Sequence, residues 1–331
     1  MLRGICMGET MIKEIPFSDF DAIKIGHADI REAATGCTVI ISEQGAITGV
    51  DVRGGAPGTR ETDLLAPTNL IEKVNAVFLA GGSAFGLDAA AGIMQFLEEK
   101  HIGFDVRVTR VPIVTGAVLF DLTVGDSRIR PDKQMGYQAC VNAHVGESRQ
   151  GNVGAGTGAT VGKIMGVTRA MKSGLGMYAL KADELKVGAI VAVNCLGDVI
   201  DPATGEVLAG VLNEDGKTIA NTEEIMVRAQ SKGTNLFGGN TTVGVVVTNA
   251  SLTKAQATKV ASMSQNAYAR TMRPAHTMFD GDTIFAMALG ETERDVSVVG
   301  MLAARAMEHA IIAAVKNAGP LYNLKCYRDT R

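Results

Sequence analysis

The stretch Leu236 to Ala250 reads LFGGNTTVGVVVTNA, so two glycines and an asparagine lead directly into Thr241 and an apolar, strand-forming run follows it. Glycine adopts backbone conformations closed to other residues, and Gly238 and Gly239 therefore permit a strained turn just before Asn240. Such a turn can aim the Thr241 hydroxyl at the carbonyl carbon of Asn240. An N-to-O acyl shift followed by hydrolysis would break the Asn240–Thr241 bond and leave Thr241 with a free α-amine. That amine has an ordinary pKa of about 7.7–8.0, so near neutrality part of it is uncharged and can take the hydroxyl proton. Nucleophile and base would then share one residue. From residue types alone a plainer reading stays open, in which Asn-Thr-Thr merely begins a strand. The same triplet matches a glycosylation pattern, which has force only in a secreted chain.

Asp280-Gly281-Asp282 follows and immediately precedes another apolar run. Paired carboxylates there could orient Thr241 or hold the ammonium form of its amine; the alternatives are a solvated turn or a calcium-like loop lacking its other ligands. Gly154 to Lys163, GAGTGATVGK, suggests a phosphate cradle, but a Walker-type loop needs glycine where Thr157 stands and Ser or Thr where Ile164 stands. The Gly154-x-Gly156-x-x-Ala159 match to a dinucleotide fingerprint lacks a clear strand before it and a helix after it. A site-lining turn from which Lys163 projects is the better reading. In Gly81 to Gly86, GGSAFG, Phe85 breaks the G-x-S-x-G nucleophile elbow, and Ser83 is expected to cap the helix that follows. The five histidines are far apart and none has metal-ligand spacing. His276 lies near two acids and could serve only through folded proximity, so it is read as a loop residue.

The elements that must position these groups are visible in the apolar pattern. Residues 37–41 and 46–52 read as β-runs separated by a turn at Glu43 to Gly45, which suggests a hairpin, and 53–61 is a glycine-rich loop. Residues 75–80 form a buried strand that runs into a helix over about 84–100. A second helix is expected over 133–145, and 187–193, 243–248 and 283–288 are strands apolar enough to be buried on both faces. Helices follow near 252–272, opening with a Thr253-x-x-Gln256 capping box, and near 295–317. Sheets covered by helical layers are the expected α/β architecture.

Composition narrows the function classes. The 331 residues are 46% hydrophobic and 20% charged, ample for a large core, and no linker or repeat divides them, so a single domain over 1–331 is expected. A net charge of −3 with scattered Lys and Arg offers no face for nucleic acid. Five widely separated cysteines (Cys6, Cys37, Cys140, Cys195, Cys326) without a C-x-x-C pair point to reduced thiols. The first twenty residues mix charges with short apolar runs, so no signal peptide or membrane span is expected and a cytoplasmic location fits.

Taken together, VRGGAPGTRETDLL (from Val52), LAGGSAFGLDAAAGIM (from Leu79), GAGTGATVGK, VNCLGDV (from Val193), GGNTTVGVVVTNA and DGDTIFAMA resemble the autoprocessing N-terminal-nucleophile family of L-aminopeptidase/D-esterases, β-peptidyl aminopeptidases and nylon-oligomer (6-aminohexanoate-oligomer) hydrolases. The resemblance implies a four-layer αββα sandwich and self-cleavage into fragments 1–240 and 241–331. It implies Thr241 as nucleophile, Asn194 as an oxyanion-holding side chain, Lys163 as a charged site residue, and Asp280 and Asp282 as the acids that organise them. Asp-x-Asp with Thr leans toward the nylon-hydrolase branch. That branch has a tyrosine where Phe120 stands here, and Tyr137 is the candidate replacement for its hydroxyl. The implied substrates are short peptides, amino-acid amides or esters, or 6-aminohexanoate oligomers. No cofactor or metal is implied, and a homo-oligomer of processed protomers is expected. The alternative from another class is a non-processing small-molecule binding module on the same fold.

Overall fold

The structure, a computed structural model, describes residues 11–230 and 239–331; Cys6 and, on the approach to Thr241, Leu236 to Gly238 lie outside the described residues. Its main elements in chain order are β1 (Lys24–Ile30), β2 (Thr35–Val52), β3 (Lys73–Ala80), α1 (Ala89–Glu99), β4 (Val114–Val118), α2 (Lys133–Val141), β5 (Leu175–Ala182), β6 (Leu185–Ala192), β7 (Val243–Ser251), α3 (Lys254–Thr271), β8 (Thr283–Glu293) and α4 (Val296–Lys316). With two short strands, Ile12–Glu14 and Thr59–Arg60, the eight β-strands make one mixed sheet. Its order is Ile12–Glu14, β5, β6, β7, β8, β2, β3, β4, Thr59–Arg60, and β1 pairs with β2.

β2 connects the two leaves of this sheet. Its first half pairs with β3 from Cys37 opposite Ala80 to Ile41 opposite Ala76, and its second half pairs with β8 from Ile47 opposite Ala288 to Val52 opposite Thr283. The register with β3 shifts between Ile41 and Ala46, where Gly45 takes a left-handed φ of 72°. The expected hairpin is therefore replaced by one 18-residue strand with a bulge. Five steps along β2 here answer two along β3, and the excess bends and twists the strand without reversing it, which lets β2 serve both leaves.

The folded-over sheet buries three apolar layers. Ile40, Val77 and Leu79 of one leaf pack in the same cluster as Ile190, Val245, Val247 and Phe285 of the other. Behind the second leaf, Val187, Val246 and Ile284 meet Val260 of α3 and Met307 and Ile311 of α4. Behind the first, Cys37, Val39 and Phe78 meet Ile93 and Leu97 of α1 and Ala139 of α2. The result is the four-layer αββα sandwich. Val245, Val246 and Val247 alternate between two covered faces, the physical reason that this stretch is apolar without a period. Each such side chain contributes about 1.5–3 kcal/mol by leaving water.

The helix ends have identifiable causes. In α3 the Gln256 N–H donates to the Thr253 hydroxyl at 3.3 Å while the Gln256 side chain accepts from the Thr253 N–H at 2.9 Å. In α4, Asp295 accepts from the N–H groups of Ser297 and Val298. That helix is long and apolar enough to cross a membrane by length and composition, yet its apolar face is spent on the core. α2 stops at Val141 rather than 145 because His144 exchanges backbone hydrogen bonds with Ile25 of β1. The helix expected over 84–100 is a 3-10 segment, Ser83–Asp88, that passes into α1. Ser83 does not cap it: the residue sits at a left-handed φ of 54°, its N–H donates to the Leu119 carbonyl, and its side chain makes no capping bond.

Candidate functional site

Three strand ends deliver the candidate residues to one place. β7 and β8 are parallel neighbours with Val243 opposite Thr283, so the residues just before them, Thr241-Thr242 and Asp280-Gly281-Asp282, run side by side, and Asn240 bridges Asp280. β6 pairs antiparallel with β7, with Ala192 opposite Val243, and its continuation carries Asn194 across the front of Thr241. The Thr241 N–H donates to the Asn194 carbonyl at 3.0 Å.

At the centre, the Thr241 hydroxyl donates to the carbonyl oxygen of Asn240. The backbone N–H of Gly281 lies 3.2 Å from that carbonyl oxygen and 3.2 Å from Thr241 Oγ1. One donor thus faces both the oxygen that would attack and the oxygen that would become an oxyanion, the arrangement that stabilises a tetrahedral intermediate. Both Asn240 and Thr241 are buried.

Asn194 is the hub of the polar network. Its Oδ1 accepts from the Thr160 N–H at 3.0 Å and from Lys163 Nζ at 2.8 Å, its carbonyl accepts from Lys163 Nζ at 3.0 Å, and its Nδ2 donates to the Phe120 carbonyl at 3.0 Å. Lys163 is placed by Gly162, whose left-handed φ of 70° and approach to the Gly210–Val211 backbone leave no room for a Cβ. Burial pushes the Lys163 ammonium down to about 7, opposed by nearby acidic groups that include Asp280, Asp121 and Asp282. A lysine poised there can be charged or neutral near neutrality, which suits electrostatic assistance and proton transfer.

The two acids are held differently. Asp282 accepts the Thr242 N–H at 2.9 Å on one oxygen and the His276 N–H at 3.0 Å on the other. Asp280 accepts the N–H and hydroxyl of Thr277, at 2.9 and 2.5 Å, on one oxygen, while its other oxygen is buried without a hydrogen-bond partner among the described residues. Burial, and then the charge of Asp282, raise the Asp280 carboxyl above its ordinary value. His276 keeps its place as a loop residue at a left-handed φ of 58°; its Nδ1 is 3.0 Å from Asp282, and its ring stacks on Tyr268 of α3.

A cleft of about 270 Å³ opens on Thr241, with Ser83, Ala84, Phe120, Met278 and Phe279 among its walls. The ring of Phe120 packs so closely on Gly239 that a Cβ there would lie 2.3 Å from it. Tyr137 is not brought to this cleft. Its hydroxyl donates to Glu99 at 2.8 Å and its ring packs edge-on against Phe96, on the α1–α2 layer. No tyrosine lines the cleft among the described residues.

Some groups were not singled out by sequence reading. Asp121 is buried, accepts the Gly82 N–H at 2.7 Å and the Thr35 hydroxyl at 2.7 Å, and so anchors the cleft wall at Gly82–Ser83. Burial pushes its carboxyl up to about 6. Lys172 is fully buried and donates to the carbonyls of Gly156, Ala159 and Ser173, which shapes the Gly154–Lys163 turn from behind. A charged residue inside an otherwise apolar phrase, as in AVLFDL, is the signal that could have found Asp121. The four cysteines among the described residues are free and buried, and burial raises the Cys195 thiol well above its ordinary value, so it is a poor nucleophile.

Comparison with known proteins gives the family and the fold. The profile of peptidase family S58 matches residues 17–325. An uncharacterized aminopeptidase of Mycobacterium tuberculosis is 40% identical over 341 residues, covering 94% of this chain and 96% of that protein. The 6-aminohexanoate-oligomer endohydrolase of Paenarthrobacter ureafaciens is 30% identical over 318 residues, covering 90% of this chain and 85% of that protein. Among solved structures, the L-aminopeptidase D-Ala-esterase/amidase of Ochrobactrum anthropi, a variant of the Ntn-hydrolase fold, superposes with a TM-score of 0.70 at 17% identity, covering 92% of this chain and 87% of that one.

Proposed function

The chain belongs to peptidase family S58, and from that premise we propose that this hydrolase of amide bonds makes its own nucleophile by breaking the Asn240–Thr241 bond. Thr241 Oγ attacks the Asn240 carbonyl carbon, the hydroxyl proton passes to the departing nitrogen, and an ester links Asn240 to the Thr241 side chain. Water then cleaves the ester and leaves an Asn240 carboxylate and a free Thr241 amine. The observation that carries this reading is the Gly281 N–H, placed 3.2 Å from both reacting oxygens.

In the mature site the Thr241 amine takes the hydroxyl proton as Oγ attacks a substrate carbonyl, and returns it to the leaving amine; water resolves the acyl-enzyme. The new amine starts beside the Asn194 carbonyl, which accepts from the Thr241 nitrogen at 3.0 Å. Gly281 and Asn194 serve the oxyanion, Lys163 contributes charge, and Asp280 and Asp282 fix the two strand ends. Short peptides and amino-acid amides come first as substrates, given the greater identity to the mycobacterial aminopeptidase, and 6-aminohexanoate oligomers second.

Intact mass of freshly purified and aged protein under denaturing conditions tests the reading, with Thr241→Ala alongside. Two fragments meeting at Asn240/Thr241 in the parent and one uncut chain in the variant are expected. A parent that stays whole through long incubation removes self-cleavage and brings the binding-module reading forward.

A further inference from the structure

Ser83 borders the cleft that opens on Thr241, and its backbone is held where a side chain is sterically costly. Gly82 and Ser83 take left-handed φ angles in succession, 81° and 54°. Glycine fills the first position; the second keeps a Cβ and a hydroxyl, although glycine would sit there without strain. Both residues are tied down: the Gly82 N–H donates to Asp121 at 2.7 Å and the Ser83 N–H to the Leu119 carbonyl at 2.9 Å. The next carbonyl, that of Phe120, accepts from Asn194 Nδ2 at 3.0 Å, and the Asn194 carbonyl accepts the Thr241 N–H at 3.0 Å. Ser83 and Thr241 are thus fixed relative to each other through Leu119, Phe120 and Asn194.

The Ser83 hydroxyl has no task inside the protein. It makes no capping bond and no hydrogen bond among the described residues, and the open space that the residue borders is the Thr241 cleft of about 270 Å³. A strained non-glycine residue with an unused polar group is the pattern in which backbone strain serves a ligand. Around it Ala84, Val118, Leu119 and Phe120 make the wall apolar, and none of the described residues that line the cleft has an ionisable side chain. Asp121 stands behind the wall, its oxygens spent on Gly82 and Thr35. A lone hydroxyl in such surroundings matches an uncharged donor, whereas an ammonium would lose water without gaining a counter-charge. Short peptides and amino-acid amides, the first substrates proposed above, carry a nitrogen on the carbon next to the scissile carbonyl. We propose that Ser83 is a specificity-determining residue whose hydroxyl accepts a hydrogen bond from an uncharged N–H at that position of the substrate. The inference rests on the hydrolase reading above. Two groups share this chemistry, a neutral amine and an amide N–H.

The test measures kcat/KM of processed wild-type protein, Ser83→Ala and Ser83→Gly on three anilides. Propionyl p-nitroanilide lacks the nitrogen; the alanyl and N-acetylalanyl p-nitroanilides carry it as amine and as amide. Each nitrogen-bearing substrate is taken as a ratio to the propionyl one, and comparing that ratio between parent and variant cancels the intrinsic reactivity of the anilides. At least one ratio is expected to fall about fivefold in both variants, the size of one neutral hydrogen bond, mainly through KM. In the alanyl ratio the part that depends on Ser83 grows as pH rises through the ordinary amine range of about 7.7–8.0, and the shared denominator removes any titration of the Thr241 amine. Ser83→Gly relieves the left-handed strain, so it is expected to unfold at or above the parent temperature while losing the preference, a combination that a purely structural serine would not give. Ratios that keep their parent values in both variants overturn the proposal, as does a Ser83-dependent alanyl advantage that is larger below that pH range than above it. Binding of alaninamide and N-acetylalaninamide against propionamide, followed by NMR, separates the contact from the hydrolase reading. If no anilide turns over but either nitrogen-bearing amide binds more tightly than propionamide and loses that margin in Ser83→Ala, the hydrolase reading fails and the contact stands; equal binding of all three without turnover removes the contact.

Discussion

Gly281 donates its backbone N–H to Thr241 Oγ1 at 3.2 Å, and the Cα of Gly281 faces the same hydroxyl so closely that a Cβ would stand 2.7 Å from it. Thr241 is therefore seated against a position where only glycine fits. The contact exists because β7 and β8 are parallel neighbours, which lays the two residues that precede them against each other.

Gly281→Ala is expected to push Thr241 and the donor apart and to slow self-cleavage by about 10²–10³, the cost of losing one oxyanion donor. A time course of intact mass at constant temperature measures it. Processing at the parent rate would show that the Gly281 N–H has no part in the step.

Asn194 has a structural role and, in the proposed mechanism, a chemical one, and two variants assayed for stability and for turnover address both. Asn194→Ala leaves the Thr160 N–H and Lys163 Nζ without their side-chain acceptor, so a loss of about 1–3 kcal/mol in stability accompanies the loss of turnover. Asn194→Asp keeps the acceptor and removes the Nδ2 donor. It also gives up the 3.0 Å bond from Nδ2 to the Phe120 carbonyl, so stability falls as well, and turnover of the folded fraction is expected to fall by at least about tenfold. Full activity in Asn194→Asp would remove the side chain from the oxyanion site.

Lys163 makes a pH prediction with a definite sign. Burial lowers it from 10.5 to about 7, so between those values the unfolded chain binds a proton that the folded chain lacks. Its contribution to stability accordingly rises with pH from about 7 to about 10.5. Lys172, also lowered to about 7, contributes a rise of the same sign. Denaturant unfolding of Lys163→Met should therefore show a smaller gain than the parent between pH 7.5 and 10. Parallel curves would mean that Lys163 is not desolvated in the folded protein.

Asp121 carries the opposite sign. Burial raises its carboxyl from 3.8 to about 6, so the folded chain holds a proton that the unfolded chain has released, and stability from this group falls as pH rises through that window. The total is roughly 3 kcal/mol. Asp121→Asn keeps an acceptor for Gly82 and should gain on the parent between pH 4 and 6.5 in urea unfolding. A difference that stays constant across that range would contradict the assignment.

Much of the candidate site was legible because its parts lie in short, chemically distinctive phrases. Thr241 stands between glycines and an apolar strand, Lys163 ends a glycine-rich turn, and Asp280 and Asp282 share one turn. Asp121 was passed over because it is a lone acid whose partners, Thr35 and Gly82, lie 86 and 39 residues away. Tyr137 carries the right hydroxyl but sits on α2, where the helical phase turns it toward Glu99.

By itself the sequence located β3, β6, β7, β8 and the four helices α1 to α4, showed that β6, β7 and β8 are covered on both faces and that α3 is capped by Thr253, since burial and capping leave a mark within a few residues; it did not mark β1, β4 or β5. Only the tertiary structure decided that β2 is one bulged strand rather than a hairpin, that Ser83 faces a cleft rather than capping a helix, and that Asn194, Thr241 and Gly281 meet. Those outcomes depend on which strands become neighbours. Pairing is a choice among distant partners, and each strand carries its period of two without naming the strand beside it.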